Sequence, residues 1–217
     1  LEKNIALNLS LVVMISGFFG ARIFHIIVEH PQFYFDHPAK IFEFYSGGFV
    51  FYGGVLLALL ASSFYLKRIN EPFLPWLDRF TLPIALGYPL GRIACFLAGC
   101  CFGRECDLPW GVTFPVGVEA PYGIPLHPTQ LYSLILGLLV FAFILWAMRS
   151  HRLRVPGQIF FLWLFLHSLQ RIFVEHFRAD WRGETMIGLS PATLIASIFA
   201  LFSVIAILRL KKSSLFE

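Results

Sequence analysis

The chain has 217 residues, of which 58% are hydrophobic and 14% charged, with 25 phenylalanines. Soluble domains hold roughly 45–50% apolar and about 25% charged residues, so this composition argues against an ordinary soluble core and for a membrane. The net charge of +4 does not point to nucleic acid, because the basic residues sit in short connections between apolar stretches.

In chain order, apolar stretches lie near 5–27, 47–66, 79–98, 131–148, 157–177 and 188–208. Each approaches the about 20 residues that a helix needs to cross a hydrocarbon core of roughly 30 Å. The expected fold class is therefore all-α: a polytopic helical bundle of about six transmembrane helices, one domain over 1–217, with a long outer loop at 99–130. Pro72 and Pro75, Pro128, Pro156 with Gly157, and Pro191 punctuate the stretches. Trp110, Trp146 and Trp181 suit the membrane interfaces. The start lacks a signal-peptide pattern, so the first helix is read as permanent.

The connections holding Lys67 and Arg68, then Arg149, Arg152 and Arg154, and the tail with Arg209, Lys211 and Lys212 are basic, which by the positive-inside rule makes them cytoplasmic. The alternate connections carry Glu29, Asp36, Glu43, Glu105, Asp107, Glu119, Asp180 and Glu184 and are expected to face outward. Both ends of this chain then lie in the cytoplasm. Its start, on an apolar stretch and without Met, suggests a preceding N-terminal piece. The 99–130 loop is rich in Gly and Pro, and its DLPWGVTF and GIPLHPTQLY segments suggest a short strand or re-entrant turn.

Charged residues in hydrocarbon are costly and mark function by default. Arg22, Arg92 and Arg171 fall within spans, each roughly 20 Å from the cytoplasmic end at 1.5 Å per residue. Snorkelling to the outer headgroups is the alternative, and it weakens when three arginines share one depth. His167, Arg171, Glu175 and Arg178 follow helical steps of four, four and three, and Arg22, His25 and Glu29 repeat that pattern. Glu175 can neutralise Arg171 or Arg178, but the surplus of arginine favours an anionic guest. Guanidinium groups grip phosphate in a bidentate way, so a phospholipid headgroup is inferred.

Tyr52 sits between the glycine pairs 47–48 and 53–54, which let a backbone or a ligand approach closely. Tight helix packing and an interfacial tyrosine are the plainer readings. Cys95 follows Arg92 by one turn, and Cys100, Cys101 and Cys106 come just after. A disulfide from Cys106 to Cys100 or Cys101, packing, and redox sensitivity all remain open. No CxxC spacing occurs and His127 alone is near in sequence, so no metal is expected.

Several segments together carry a resemblance: GARIF at 20–24, GGFVFYGG at 47–54, LGRIACFLAGCCFGR at 90–104, PWGVTF at 109–114, HPTQLY at 127–132, GQ at 157–158 and RIFVEHFRAD at 171–180. The chain resembles the bacterial prolipoprotein diacylglyceryl transferases over essentially its whole length. The resemblance implies transfer of the diacylglyceryl group of phosphatidylglycerol to a lipobox cysteine of a prolipoprotein, forming a thioether and releasing glycerol phosphate. It also implies the inner membrane, an active site toward the periplasmic leaflet, and seven spans, so that one helix would precede this chain.

Arg92 and Arg171 match the family's headgroup arginines and would stabilise the departing phosphate. A cationic neighbourhood would lower the acceptor thiol from about 8.5. Tyr52 stands where many members have His and, with an ordinary pKa near 10, is expected to bind rather than deprotonate, leaving His127 for proton transfer or headgroup contact. The usual RIGNFxNGE pattern reads RIACFLAGC, so Cys95, Ala98 and Cys100 replace two asparagines and a glutamate.

The expected catalytic set is thus Arg92, Arg171, Tyr52 and His127, with Arg22, Gly53, Gly54, Gln130, Tyr132, Glu175 and Arg178 binding substrate. Phosphatidylglycerol and a prolipoprotein signal peptide are the implied partners, with no nucleic acid, no cofactor and a monomeric chain. A paralogue with another acceptor, and a lipid-binding or transport protein without chemistry, are the competing readings.

Overall fold

Apolar runs too long for strands, interrupted by proline and glycine, fold as helices because only there can a lone segment satisfy its own backbone in lipid. The computed structural model describes residues 2–150, 153–179 and 189–213. Helix α1 spans Glu2–Phe24 and runs into a π-helical turn, His25–Glu29; α2 spans Pro31–Asp36 and is followed by short 3-10 turns. The long helices α3 (Phe51–Arg68), α4 (Phe73–Leu97), α5 (Thr129–Arg149), α6 (Gln158–Glu175) and α7 (Pro191–Ser213) complete the order. The protein is a multi-pass helical membrane protein.

Each of the six expected stretches is a helix. Four of them, within Glu2–Val28, Phe73–Leu97, Thr129–Arg149 and Pro191–Lys211, are long and apolar enough to cross a bilayer. The other two, α3 and α6, have 18 residues each, about 27 Å of helix. Lys67 and Arg68 end α3, and α6 carries Arg171, Glu175 and the buried Gln158 and Gln170, which lowers its apolar character. Pro75, expected between spans, lies in the first turn of α4, where no intrahelical N–H bond is lost. Arg152, Asp180, Trp181 and Glu184 lie outside the described residues.

The chain divides into two units, Leu1–Phe73 and Leu74–Glu217. In the first, α1 packs on α3 through glycines. A Cβ at Gly20 would lie 2.6 Å from the Gly53 carbonyl oxygen, and one at Gly54 would lie 2.8 Å from that of Gly17. The two backbones therefore touch, as small residues permit in membranes.

In the second unit, Ala85 of α4, Ile144 and Ala147 of α5, and Ile159 and Trp163 of α6 form one core. Asp78 of α4 accepts from the backbone N–H groups of Gly157 at 2.7 Å and Phe160 at 2.8 Å, capping α6 from another helix. An acid there satisfies orphan donors and complements the positive helix end.

The 99–130 loop is folded rather than slack. Phe114, Ala120 and Leu126 are buried beneath Phe96, Val112, Val118 and Ile124. Isolated bridges join Glu105 to Leu126, Val112 to Leu126 and Phe114 to Tyr122, where the sequence suggests a short strand or a re-entrant turn. Lipid would cover the exposed Ile198, Leu201, Phe202 and Leu208 of α7.

Candidate functional site

In the first unit Arg22 is 2% exposed, and its fork is fully occupied. Nε donates to the carbonyl oxygen of Ile41, Nη1 to those of Gly47 at 2.7 Å and Gly48, and Nη2 to those of Lys40 at 2.9 Å and Glu43. Guanidinium has five N–H donors, and five carbonyls take them. Its cation also lies 5.3 Å from the Tyr34 ring centre. Gly47 and Gly48 have φ of 80° and 78°, and a Cβ on Gly48 would strike the His25 ring and come 2.8 Å from Arg22 Nη1. Arg22, expected at the substrate, thus holds the backbone of residues 40–48. Gly53 and Gly54, expected at the substrate, are buried at the contact with α1 and permit its close packing. Tyr52, on the first turn of α3, is 49% exposed.

The second unit gathers the other arginines. The Arg92 guanidinium lies 4.7 Å from the centre of the Tyr88 ring. Tyr88 meets His167 edge-on at 4.4 Å, and His167 stacks on Trp163 at 5.3 Å. One turn further along α6, Arg171 Nη1 pairs with Glu175 Oε2 at 2.8 Å, and Arg178 Nε lies 3.8 Å from the same oxygen. Ser190 Oγ donates to the other carboxylate oxygen at 2.7 Å. The charges of Arg92 and Arg178 both bear on Arg171. Glu175 is therefore held by two arginines and a serine, and two guanidinium groups on one carboxylate leave a cationic surplus in a largely buried place. Tyr88 escaped the sequence reading, although it stands four residues before Arg92 and so on the same helical face.

A second constellation is built by HPTQLY and the loop. The Tyr132 hydroxyl accepts from Trp110 Nε1 at 2.8 Å and lies 2.9 Å from His127 Nδ1. Phe177 packs 5.3 Å from the His127 ring and 5.7 Å from Tyr132. Backbone bonds tie this cluster to the end of the arginine helix: Arg104 N–H donates to Phe177 at 2.8 Å, and His127 N–H to Arg104 at 2.9 Å. Gly103 is needed there, since a Cβ would lie 2.6 Å from both the His127 and the Phe177 carbonyl oxygens. Gln130, expected at the substrate, is 1% exposed and donates to the Cys100 carbonyl at 2.7 Å, while Thr129 donates to that of Cys101 at 2.6 Å. Both residues fix the cysteine turn.

The sulfur atoms of Cys95, Cys100 and Cys101 all lie within 4.8 Å of one another, whereas Cys106 is buried under the loop, 2% exposed. Among the described residues all four cysteines are thiols. Burial, reinforced by Cys101 and Cys95, pushes the Cys100 thiol up to about 12. Beside Gln170, an apolar groove of about 440 Å³ opens between α5 and α6, lined by Leu136, Leu139, Val140, Phe143, Leu166 and Phe173.

Two little-exposed guanidinium groups on one carboxylate, an apolar groove along the same helix and a folded loop bonded to the segment that follows it define a membrane-embedded protein equipped for an amphiphilic anion. The chain belongs to the prolipoprotein diacylglyceryl transferase family, whose model matches residues 1–209. It is 36% identical over 197 residues to the phosphatidylglycerol--prolipoprotein diacylglyceryl transferase of Clostridium tetani, covering 88% of this chain and 78% of that one. The second such transferase of Clostridium perfringens is 33% identical over 205 residues, 94% of this chain and 78% of the relative. The Geobacter sulfurreducens transferase is 37% identical over 161 residues, 73% of this chain and 59% of the relative.

Proposed function

We infer that the protein transfers the diacylglyceryl group of phosphatidylglycerol to the lipobox cysteine of prolipoproteins. The observation that carries this is the pair Arg171 and Arg178 on one carboxylate, Glu175, with the charge of Arg92 also bearing on Arg171, in a chain of this family. In the transfer, the acceptor sulfur attacks the glyceryl carbon, a C–S bond forms, and the C–O bond to phosphate breaks. The electron pair leaves on glycerol phosphate, whose new charge faces Arg92 and Arg171. Arg178 and Glu175 position Arg171, and the groove beside Gln170 offers apolar surface to an acyl chain. Arg22 acts through the 40–48 segment that it holds.

Trp110 Nε1 donates to the Tyr132 hydroxyl, which also bonds His127 Nδ1 and so fixes the ring. The other ring nitrogen, Nε2, is the one suited to a headgroup oxygen. Tyr52 binds the lipid rather than accepting a proton. The acceptor thiol gives its proton to water, because the surrounding guanidiniums favour the thiolate.

The two units act as one transferase domain, supported by a family match that runs through both. The charge pattern supports the inner membrane with both ends of this chain cytoplasmic and the site toward the periplasmic leaflet. Arginine cluster and His127 lie in one unit of one chain, which supports action as a monomer.

The test is turnover of radiolabelled phosphatidylglycerol with a lipobox peptide by the purified protein. Thioether-linked product is expected, and Arg92→Ala and Arg171→Ala should each lower kcat/KM by about 100-fold or more, the usual effect of removing a charge-stabilising donor. Normal turnover by either variant would remove the headgroup clamp. Lipid binding without product would favour another acceptor, a reading motivated by Cys95, Ala98 and Cys100 in place of the usual residues.

A further inference from the structure

The turn after α4 gathers three thiols to which the transfer described above assigns no step. Its sequence, Cys95 followed by Cys100 and Cys101, has none of the spacing of a metal motif, yet the backbone closes it. Gly99 and Cys101 both take left-handed conformations, with φ of 64° and 61°. A non-glycine residue held there is uncommon and is imposed by its surroundings. The imposing groups are visible: Thr129 and Gln130, each 1% exposed, hold the carbonyls of Cys101 and Cys100 at 2.6 and 2.7 Å. The Cys100 N–H donates to the Cys95 carbonyl at 3.1 Å, completing the reversal. The outcome is three thiols from one short segment with their sulfurs within 4.8 Å of one another, all half-buried.

We propose that Cys95, Cys100 and Cys101 form a three-sulfur binding site for a soft, thiophilic cation of the copper(I) type. Three sulfurs around one ion at a metal–sulfur distance of about 2.3 Å stand about 4 Å apart, a spacing that small side-chain rotations reach from here. Thiolates select soft cations, and zinc usually closes its structural sites with four ligands where this group has three. Coordination releases the thiol protons to water and changes no oxidation state. The site lies one helical turn beyond Arg92, but its chemistry is separate from transfer.

The reduced protein in detergent is titrated anaerobically with copper(I) held by a competing chelator, and in parallel with zinc(II). Cysteine alkylation by iodoacetamide is then read peptide by peptide. Copper(I) is expected to bind at one equivalent, to protect Cys95, Cys100 and Cys101 at least tenfold against alkylation, and to leave Cys106 unchanged. Cys95→Ser and Cys101→Ser should each weaken binding at least tenfold, while Cys106→Ser retains it. Protection mapping needs no variant, so it stands even where a serine variant fails to fold. Unchanged alkylation with copper(I), tighter binding of zinc(II), or protection confined to Cys106 would overturn the site.

Discussion

Arg22 and Arg171 look alike in sequence, each an arginine late in an apolar stretch, but their neighbours separate them. Arg22 meets five carbonyls, whereas Arg171 meets a carboxylate shared with Arg178 and shares its field with Arg92. A charged hydrogen bond contributes roughly 1.5–3 kcal/mol, and lysine brings a point charge with three donors in place of the planar fork. Arg22→Lys is therefore expected to cost on the order of 3 kcal/mol and to speed proteolysis within residues 37–48. Thermal unfolding in detergent with mapped limited proteolysis checks this. A variant as stable and as resistant as the parent would show that the carbonyl cage contributes little.

Among the elements, α6 matters most, since it carries Arg171 and Glu175 and also depends on a neighbour for its start. Gly157 opens it in a left-handed conformation and supplies no side-chain cap, and Asp78 reaches across from α4 instead. Losing a cap costs about 0.5–2 kcal/mol. Asp78→Ala should lower stability by about that amount and reduce transfer by misplacing Arg171, while Asp78→Asn keeps part of the bonding and falls between. Unfolding midpoints together with turnover decide it, and an Asp78→Ala protein with unaltered stability would rule the cap out. The outer loop is likewise an element in its own right, closed by bridges and a small apolar core, which explains how a Gly- and Pro-rich segment can hold Trp110 against Tyr132.

On the scale of the whole molecule, helices alternate with connections of opposite charge character. A protease site inserted at Asn70, next to Lys67 and Arg68, should resist protease added outside intact spheroplasts, whereas one inserted at Gly117 should be cut. Cutting in the reverse pattern would invert the proposed orientation.

The sequence by itself determined that this is a multi-pass helical membrane protein, where its helices fall to within a few residues, its family, and the arginine stripe of α6. Those are consequences of length, periodicity and charge along one segment, which linear order carries. The tertiary structure alone decided that Arg22 and Gln130 hold backbone carbonyls, that Gly53 and Gly54 serve helix contact, that Asp78 caps a helix about 80 residues away, and that three cysteines with no motif spacing share one pocket of sulfur. Each depends on where separate segments meet, because a hydrogen bond or a ligand shell is fixed by distances in space that spacing along the chain does not encode.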